Sequence, residues 1–192
     1  MEDKLYPSVT RILQATVPQS TRERLEKWKQ NIGEVEAQQI RTSAMKRGDG
    51  YDAKVKRFYE DGIDTGHHSL NVLLKQYECH SMEKGVVSKK HGYYGRYDII
   101  FKVNEMHVLN DFKGASKPKR EEWLGDYPLQ ISAYVMALIE NGQKIDYAMI
   151  TVILENDVQK FVFSIQQIEY YFRLFLKRLE QFNTQNLEHG EK

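Results

Sequence analysis

One cysteine, Cys79, stands among 192 residues, which excludes an internal disulfide and leaves too few thiolates for an iron–sulfur cluster. Long apolar runs are missing too: no stretch of eighteen apolar residues occurs, so the sequence offers no membrane-spanning helix and no membrane partner is expected. An excess of charge of one sign is also lacking. The 28 Lys and Arg against 27 Asp and Glu leave a net charge of +1, so any electrostatic footprint must come from local clustering. The opening Met1-Glu2-Asp3-Lys4-Leu5-Tyr6-Pro7 has neither the apolar core of a secretory signal nor the Arg-rich, acid-poor character of a transit peptide. A cytoplasmic location is the expectation.

What is present fits one ordinary domain over 1–192, with a mainly helical part over 1–80 and a sheet with flanking helices over 84–185. Residues 20–60 carry Leu25, Trp28, Ile32, Val35, Ile40, Ala44, Val55, Phe58 and Tyr59 in helical spacing, with breaks expected near Gly33 and Gly48 to Gly50. A short helix is expected over 66–78. Then Val86-Val87, residues 93–103 and residues 106–112 read as an antiparallel meander of three strands, with a tight turn at Asn104-Glu105. A helix over 121–141, strands over 144–154 and 158–164, a last helix over 166–182 and a polar tail complete the reading. The fold class expected is α/β: a mixed central sheet of about five strands flanked by helices.

Two acid-free basic runs stand out, Lys84 to Tyr97 and Lys113 to Arg120, each with four Lys or Arg. Between them lies the pattern that carries chemistry: Asp98, placed in the middle of the second strand, and Asp111-Phe112-Lys113 at the end of the third. In a hairpin turning at 104–105, positions 98 and 111 are near-neighbours across the ladder. Two carboxylates brought together repel unless a hard cation such as Mg²⁺ or Mn²⁺ takes their oxygens as ligands. Side chains two apart on a strand share a face, so Lys113 is aimed at whatever that cation holds. Such a set suits phosphodiester hydrolysis, with the lysine positioning a water or stabilising developing charge. An Asp-x-Lys on a strand is otherwise a plain surface ion pair; Gly95-Arg96-Tyr97-Asp98 before it and Gln130-Ile131-Ser132-Ala133-Tyr134 after it give it company. Gln130 and Tyr134, four apart on a helix, share a face and offer an amide and a phenol to a phosphate or a base.

Gly95-x-x-Asp98, Asp111-Phe112-Lys113 and Gln130-x-x-x-Tyr134, in this order and spacing, resemble the RecB-type exonuclease branch of the PD-(D/E)XK (restriction-endonuclease-like) superfamily. Tyr6-Pro7-Ser8-Val9-Thr10-Arg11-Ile12-Leu13, Leu25-Glu26-Lys27-Trp28-Lys29 and Tyr127-Pro128-Leu129-Gln130 resemble mitochondrial, phage and bacterial exonucleases of that branch. The resemblance runs over roughly residues 5–155. It implies Asp98 and Asp111 as metal ligands with the Phe112 carbonyl as a third, Lys113 as the catalytic lysine, and Gln130 and Tyr134 as substrate-holding groups. It gives Glu83 a minor part as an acid upstream of the site. Where the branch carries Arg-Gly-x-x-x-His, this chain has Arg47-Gly48-Asp49-Gly50-Tyr51-Asp52. Asp52 stands in the histidine's place and is a candidate ligand for a hard cation.

Trp28, Tyr51, Phe58 and Tyr59 alternate with Arg22, Arg24, Lys27, Lys29, Arg41, Lys46, Arg47 and Lys54. That is the composition of a stacking, phosphate-tracking channel, or equally of core aromatics beside solvated cations. Arg47, Lys117 and Lys119 are candidate substrate contacts, and Trp123 lies near Lys117-Pro118-Lys119-Arg120, the loop that directly follows the strand bearing Asp111 and Lys113. Adjacent His67 and His68 point about 100° apart on a helix and are expected at the surface, as are His80, His91 and His107. The function expected is a Mg²⁺- or Mn²⁺-dependent DNA exonuclease, acting as a monomer on single-stranded or flapped ends in replication, recombination or repair, in a bacterial or phage-infected cell. A nucleic-acid-binding protein that keeps the fold without catalysis is the alternative.

Overall fold

In the computed structural model residues 6–190 are described, the side chains of 44–49 and 188–190 excepted. Helix α1 (Val9–Ala15) starts at Ser8, whose hydroxyl accepts from the Arg11 N–H at 3.2 Å, a serine N-cap. Helix α2 (Gln19–Ile32) stops at Gly33, and α3 (Glu34–Asp61) begins directly after it. Helix α4 (His68–Leu74) is shorter than the helix expected over 66–78. Strands β1 (Glu78–Met82), β2 (Gly85–Ser88), β3 (Tyr93–Arg96), β4 (Ile99–Val103) and β5 (Met106–Gly114) follow. A 3-10 turn (Glu121–Trp123) precedes α5 (Tyr127–Glu140), and β6 (Tyr147–Ile153), β7 (Val158–Phe163) and α6 (Ile165–Gly190) complete the order.

Five strands form one sheet in the order β1-β4-β5-β6-β7, in which β5 and β6 run parallel and the other neighbours antiparallel. The class is mixed α/β with helices on the sheet. One core cluster joins the sheet to α1, α5 and α6 through Ile12, Leu109, Ile131, Val135, Ile150 and Phe175. The second lies under α3 and α4 and contains Val55, Leu70, Leu74, Phe101, Phe112 and Met149. Alternation along β5 explains the division: Leu109 enters the first cluster, Phe112 the second.

Several sequence expectations need correction. The run 93–103 is not one strand. It divides at Tyr97-Asp98, so β3 pairs with β2 in a separate two-stranded sheet and β4 pairs with β1 and β5. Strand β1 was not expected: it starts at Glu78, where the expected helix was to end, and it is an edge strand whose register slips between Cys79 and Ser81. Helix α3 passes without a break through Gly48 to Gly50: flanking helix formers outweigh the roughly 1 kcal/mol each interior glycine costs. Helix α5 begins at Tyr127, with Pro128 in its first turn where a missing N–H costs nothing. Helix α6 continues beyond Phe182 to Gly190.

Candidate active site

The break between β3 and β4 builds the site. Tyr97 N–H reaches the Lys84 carbonyl at 3.2 Å and Glu83 N–H reaches the Asp98 carbonyl at 2.8 Å, which pins the break to the β1–β2 corner. Asp98 is therefore not mid-strand but at the entrance of β4. The hairpin register pairs Ile99 with Asn110, so Asp98, one residue earlier, falls beside Asp111. Its Oδ2 accepts from the Phe112 N–H at 2.8 Å. Asp111, 3% exposed, lies with Oδ2 2.7 Å from Lys113 Nζ. The two form a close ion pair, and the carboxylate oxygen keeps lone-pair capacity beyond it.

The charges bear this crowding out. Burial and the neighbouring Asp111 carboxylate push Asp98 up to about 8, only partly offset by Lys113 and the Phe112 N–H, with Asp52 adding to the rise. For Lys113, burial works against the charge, but the Asp111 and Asp98 carboxylates outweigh it and hold the ammonium above the ordinary lysine value. It is thus a fixed cation rather than a base. Its Nζ lies 5.0 Å from the centre of the Tyr127 ring, within cation–π range.

On the same face of the sheet as Asp111 and Lys113, α5 presents Gln130 and Tyr134, four apart, with Gln130 Nε2 donating to Tyr134 Oη at 3.0 Å. Burial pushes the Tyr134 phenol up to about 12, which keeps it a neutral donor. Gly95 is explained by the same ring: a Cβ there would stand 2.7 Å from Tyr134 Cδ1 and 3.1 Å from Cζ. The glycine three residues before Asp98 makes room for the tyrosine.

A cavity of about 190 Å³ opens on the other side of Asp98, lined among others by Asp52, Lys56, Glu83, Arg96 and Phe112. Asp52 thus faces the same space as Asp98. Glu83, in a left-handed backbone conformation (φ 51), holds Lys56 Nζ and Arg96 NH2 on one oxygen, each at 3.2 Å. Asp111 and Lys113 do not line this cavity. Lys56 was overlooked in the sequence, although its place four residues after Asp52 on a helix was a signal for it. Arg96 and Tyr127 carried none beyond their neighbours in the motifs.

Other expected residues stand apart. Arg47 is on α3, but its side chain lies outside the described residues. Lys117 and Lys119 line neither this cavity nor the groove beside Gln130; Lys119 is tied through its backbone to Gln159 on β7, at 2.8 and 3.3 Å. Trp123 is 55% exposed, with the Arg120 guanidinium 5.0 Å from its ring centre. Tyr59 is structural, donating to the Leu74 and Tyr77 carbonyls. His67 contradicts its expected surface position. It is buried, caps α4 by accepting from the Leu70 N–H, and gives its other ring nitrogen to the Leu154 carbonyl at 2.8 Å.

The donor set here suits a hard cation. Asp98, Asp111 and Asp52 offer oxygen only, and Asp111 Oδ2 is a buried oxygen with unused capacity. Among the described residues no three His, Cys, Asp or Glu side chains form a closed cluster. Mg²⁺ commonly uses one or two carboxylates and completes its shell with water and substrate phosphate, so two convergent carboxylates are an adequate base.

No family model matches the chain. Among curated proteins it is similar to mitochondrial genome maintenance exonuclease 1 of Xenopus tropicalis, 29% identical over 156 residues, which are 72% of this chain and 44% of that protein. This likeness supports a relationship to RecB-like nucleases. It spans under half the length of that relative. In overall shape it resembles the solved structure of SSO0001, with a TM-score of 0.49 and 13% identity over 96% of this chain and 77% of the other. It resembles the alkaline exonuclease LHK-Exo of Laribacter hongkongensis similarly, with a TM-score of 0.48 and 13% identity over 97% and 94%. No helix among the described residues is long and apolar enough to cross a membrane.

Proposed function

We propose that this chain is a Mg²⁺- or Mn²⁺-dependent deoxyribonuclease that hydrolyses phosphodiester bonds from single-stranded or flapped DNA ends. The observation that carries the reading is the convergence of Asp98, Asp111 and Lys113 around the buried Asp111 carboxylate. Asp98 and Asp111, with the Phe112 carbonyl and Asp52, would hold the cation. When bound, it supplies Lewis-acid polarisation of a phosphoryl oxygen and makes a water acidic enough to react near neutral pH.

The chain's own groups supply the rest. Lys113, held charged by two carboxylates, faces the negative charge that grows on the phosphoryl oxygens as the bond to the water oxygen forms. The Tyr127 ring, 5.0 Å from the ammonium, adds a cation–π contact to it. Tyr134 donates its phenolic hydrogen while Gln130 occupies the phenol's lone pair, so the hydroxyl has one direction left in which to serve a phosphate oxygen. A role in replication, recombination or repair and action as a monomer belong to the same proposal.

The test is degradation of 5′-labelled linear, 3′-labelled linear and circular single strands with Mn²⁺ and with EDTA. Metal-dependent loss of label from linear strands, with circles intact, is the expected result and gives the polarity. Binding without cleavage under every metal would favour the non-catalytic alternative.

A further inference from the structure

Beside Gln130 there is a second cavity, of about 170 Å³, between α1 and the start of α5. Its walls include Leu13, Gln14 and Val17 on one side and Asp126, Tyr127 and Gln130 on the other. Tyr127 joins the two places: it lines this cavity and also lies against Lys113 Nζ. Whatever fills the cavity is therefore one side chain away from the ammonium at the candidate active site.

The cavity is built rather than incidental. Arg178 of α6, 12% exposed, reaches behind it with four hydrogen bonds. Its Nε donates to Thr16 Oγ1 and its NH2 to the Leu13 carbonyl, both at 2.6 Å. Its NH1 and NH2 fork onto the two Asp126 oxygens, each at 3.1 Å. One guanidinium thus fixes both walls and neutralises Asp126, the only charged group among the described residues that line the space. Such a planar fork resists movement far better than a lysine would.

The lining chemistry selects the occupant. Among the described residues no Lys or Arg lines the cavity, so it does not suit a phosphate. Leu13, Val17 and the Tyr127 ring give apolar and aromatic contact, and Gln14 and Gln130 give amides that both donate and accept. An aromatic ring with amides fits a flat heterocycle of any sequence, because every base has a stacking face. We infer that this cavity is the subsite for the nucleobase next to the cleaved phosphodiester, with Arg178 as the brace that positions its walls. The inference rests on the nuclease reading and adds to it a requirement for a base at a fixed distance from the cut.

The test uses a labelled thymidine oligonucleotide in which one abasic nucleotide, keeping sugar and phosphate, is moved stepwise along the strand. Wild-type protein with Mn²⁺ is expected to slow about ten-fold at bonds a constant offset from the abasic position, a loss in the range of one base–aromatic stack. Val17→Trp, which fills the space, and Gln14→Ala, at the exposed rim, should each shrink that offset-specific step toward one. Cleavage that ignores the abasic position, or a step that both variants keep in full, overturns the subsite while leaving the nuclease standing. No cleavage of any strand by wild-type protein overturns the nuclease reading and the subsite with it.

Discussion

Gly95→Ala is the sharpest perturbation available at this site, because its cost can be worked from one contact. The added Cβ would stand 2.7 Å from Cδ1 and 3.1 Å from Cζ of the Tyr134 ring, with Cε1 nearer still. The ring cannot swing into solvent, since Tyr134 is 3% exposed and packed in the core between sheet and helices. Gly95 cannot retreat easily either: it is held in the β2–β3 ladder opposite Val86. Overpacking of this kind costs about 1–3 kcal/mol, and a buried aromatic ring belongs at the upper end. For a domain of this size that is a fall of roughly 5–10 °C in Tm. Thermal and urea unfolding of Gly95→Ala, Tyr134→Ala and the double variant form a cycle. With the ring gone the methyl has room, so Gly95→Ala should cost little in the Tyr134→Ala background, giving a coupling of at least about 1.5 kcal/mol. A Gly95→Ala protein within about 0.5 kcal/mol of wild type, or a cost equal in both backgrounds, would refute the steric account of this glycine.

The other predictions concern charge and bracing. Asp98 holds its proton more tightly in the folded protein than in the unfolded chain, from an ordinary 3.8 to about 8. The metal-free protein must therefore lose stability as pH rises through that interval; in EDTA, Asp98→Asn should gain on wild type in melting temperature from pH 5 to pH 8, and parallel curves would contradict it. Glu140 runs the other way. Burial raises it, but the Ser88 hydroxyl and the Lys90 N–H bond its carboxylate and His91 lies nearby, leaving it below the ordinary value. Its contribution is present above the usual glutamate range and lost as pH falls through the lowered folded value, so the deficit of Glu140→Gln should close in acid; a deficit constant down to pH 3 would argue against these bonds. Arg178→Lys keeps a charge but loses the fork onto Asp126, and unfolding should show a loss of about 1–3 kcal/mol, where a change below about 0.5 would remove the brace.

How much of this lay open in the sequence depends on the range of the interactions involved. The tight turn at Asn104-Glu105 is local, with Asn104 taking the left-handed conformation (φ 55) such turns favour. From that turn the register, and with it the nearness of Asp98 to Asp111, follows by counting. The i,i+4 pair Gln130–Tyr134 is legible for the same reason. The parallel pairing of β5 with β6 is not, since it depends on a crossover through α5 that no local pattern specifies. Nor was β1: Glu78-Cys79-His80-Ser81-Met82 lacks the β-branched alternation of an inner strand, as an irregular edge strand can. His67 escaped because its partners are the Leu70 N–H and, 87 residues away, the Leu154 carbonyl. The clash that Gly95 avoids comes from a ring 39 positions further on, so the glycine was visible but its reason was not.

The most direct test of the central claim, that Asp98, Asp111 and Lys113 form one hydrolytic centre, is single-turnover cleavage of a labelled single strand by Lys113→Gln. Strand affinity in EDTA and circular dichroism should be recorded on the same preparation. The account predicts a fall in cleavage rate of about 10²–10³, the usual loss for a charge-stabilising donor, with affinity within a few-fold of wild type and the fold retained. Cleavage by folded Lys113→Gln at the wild-type rate would contradict it.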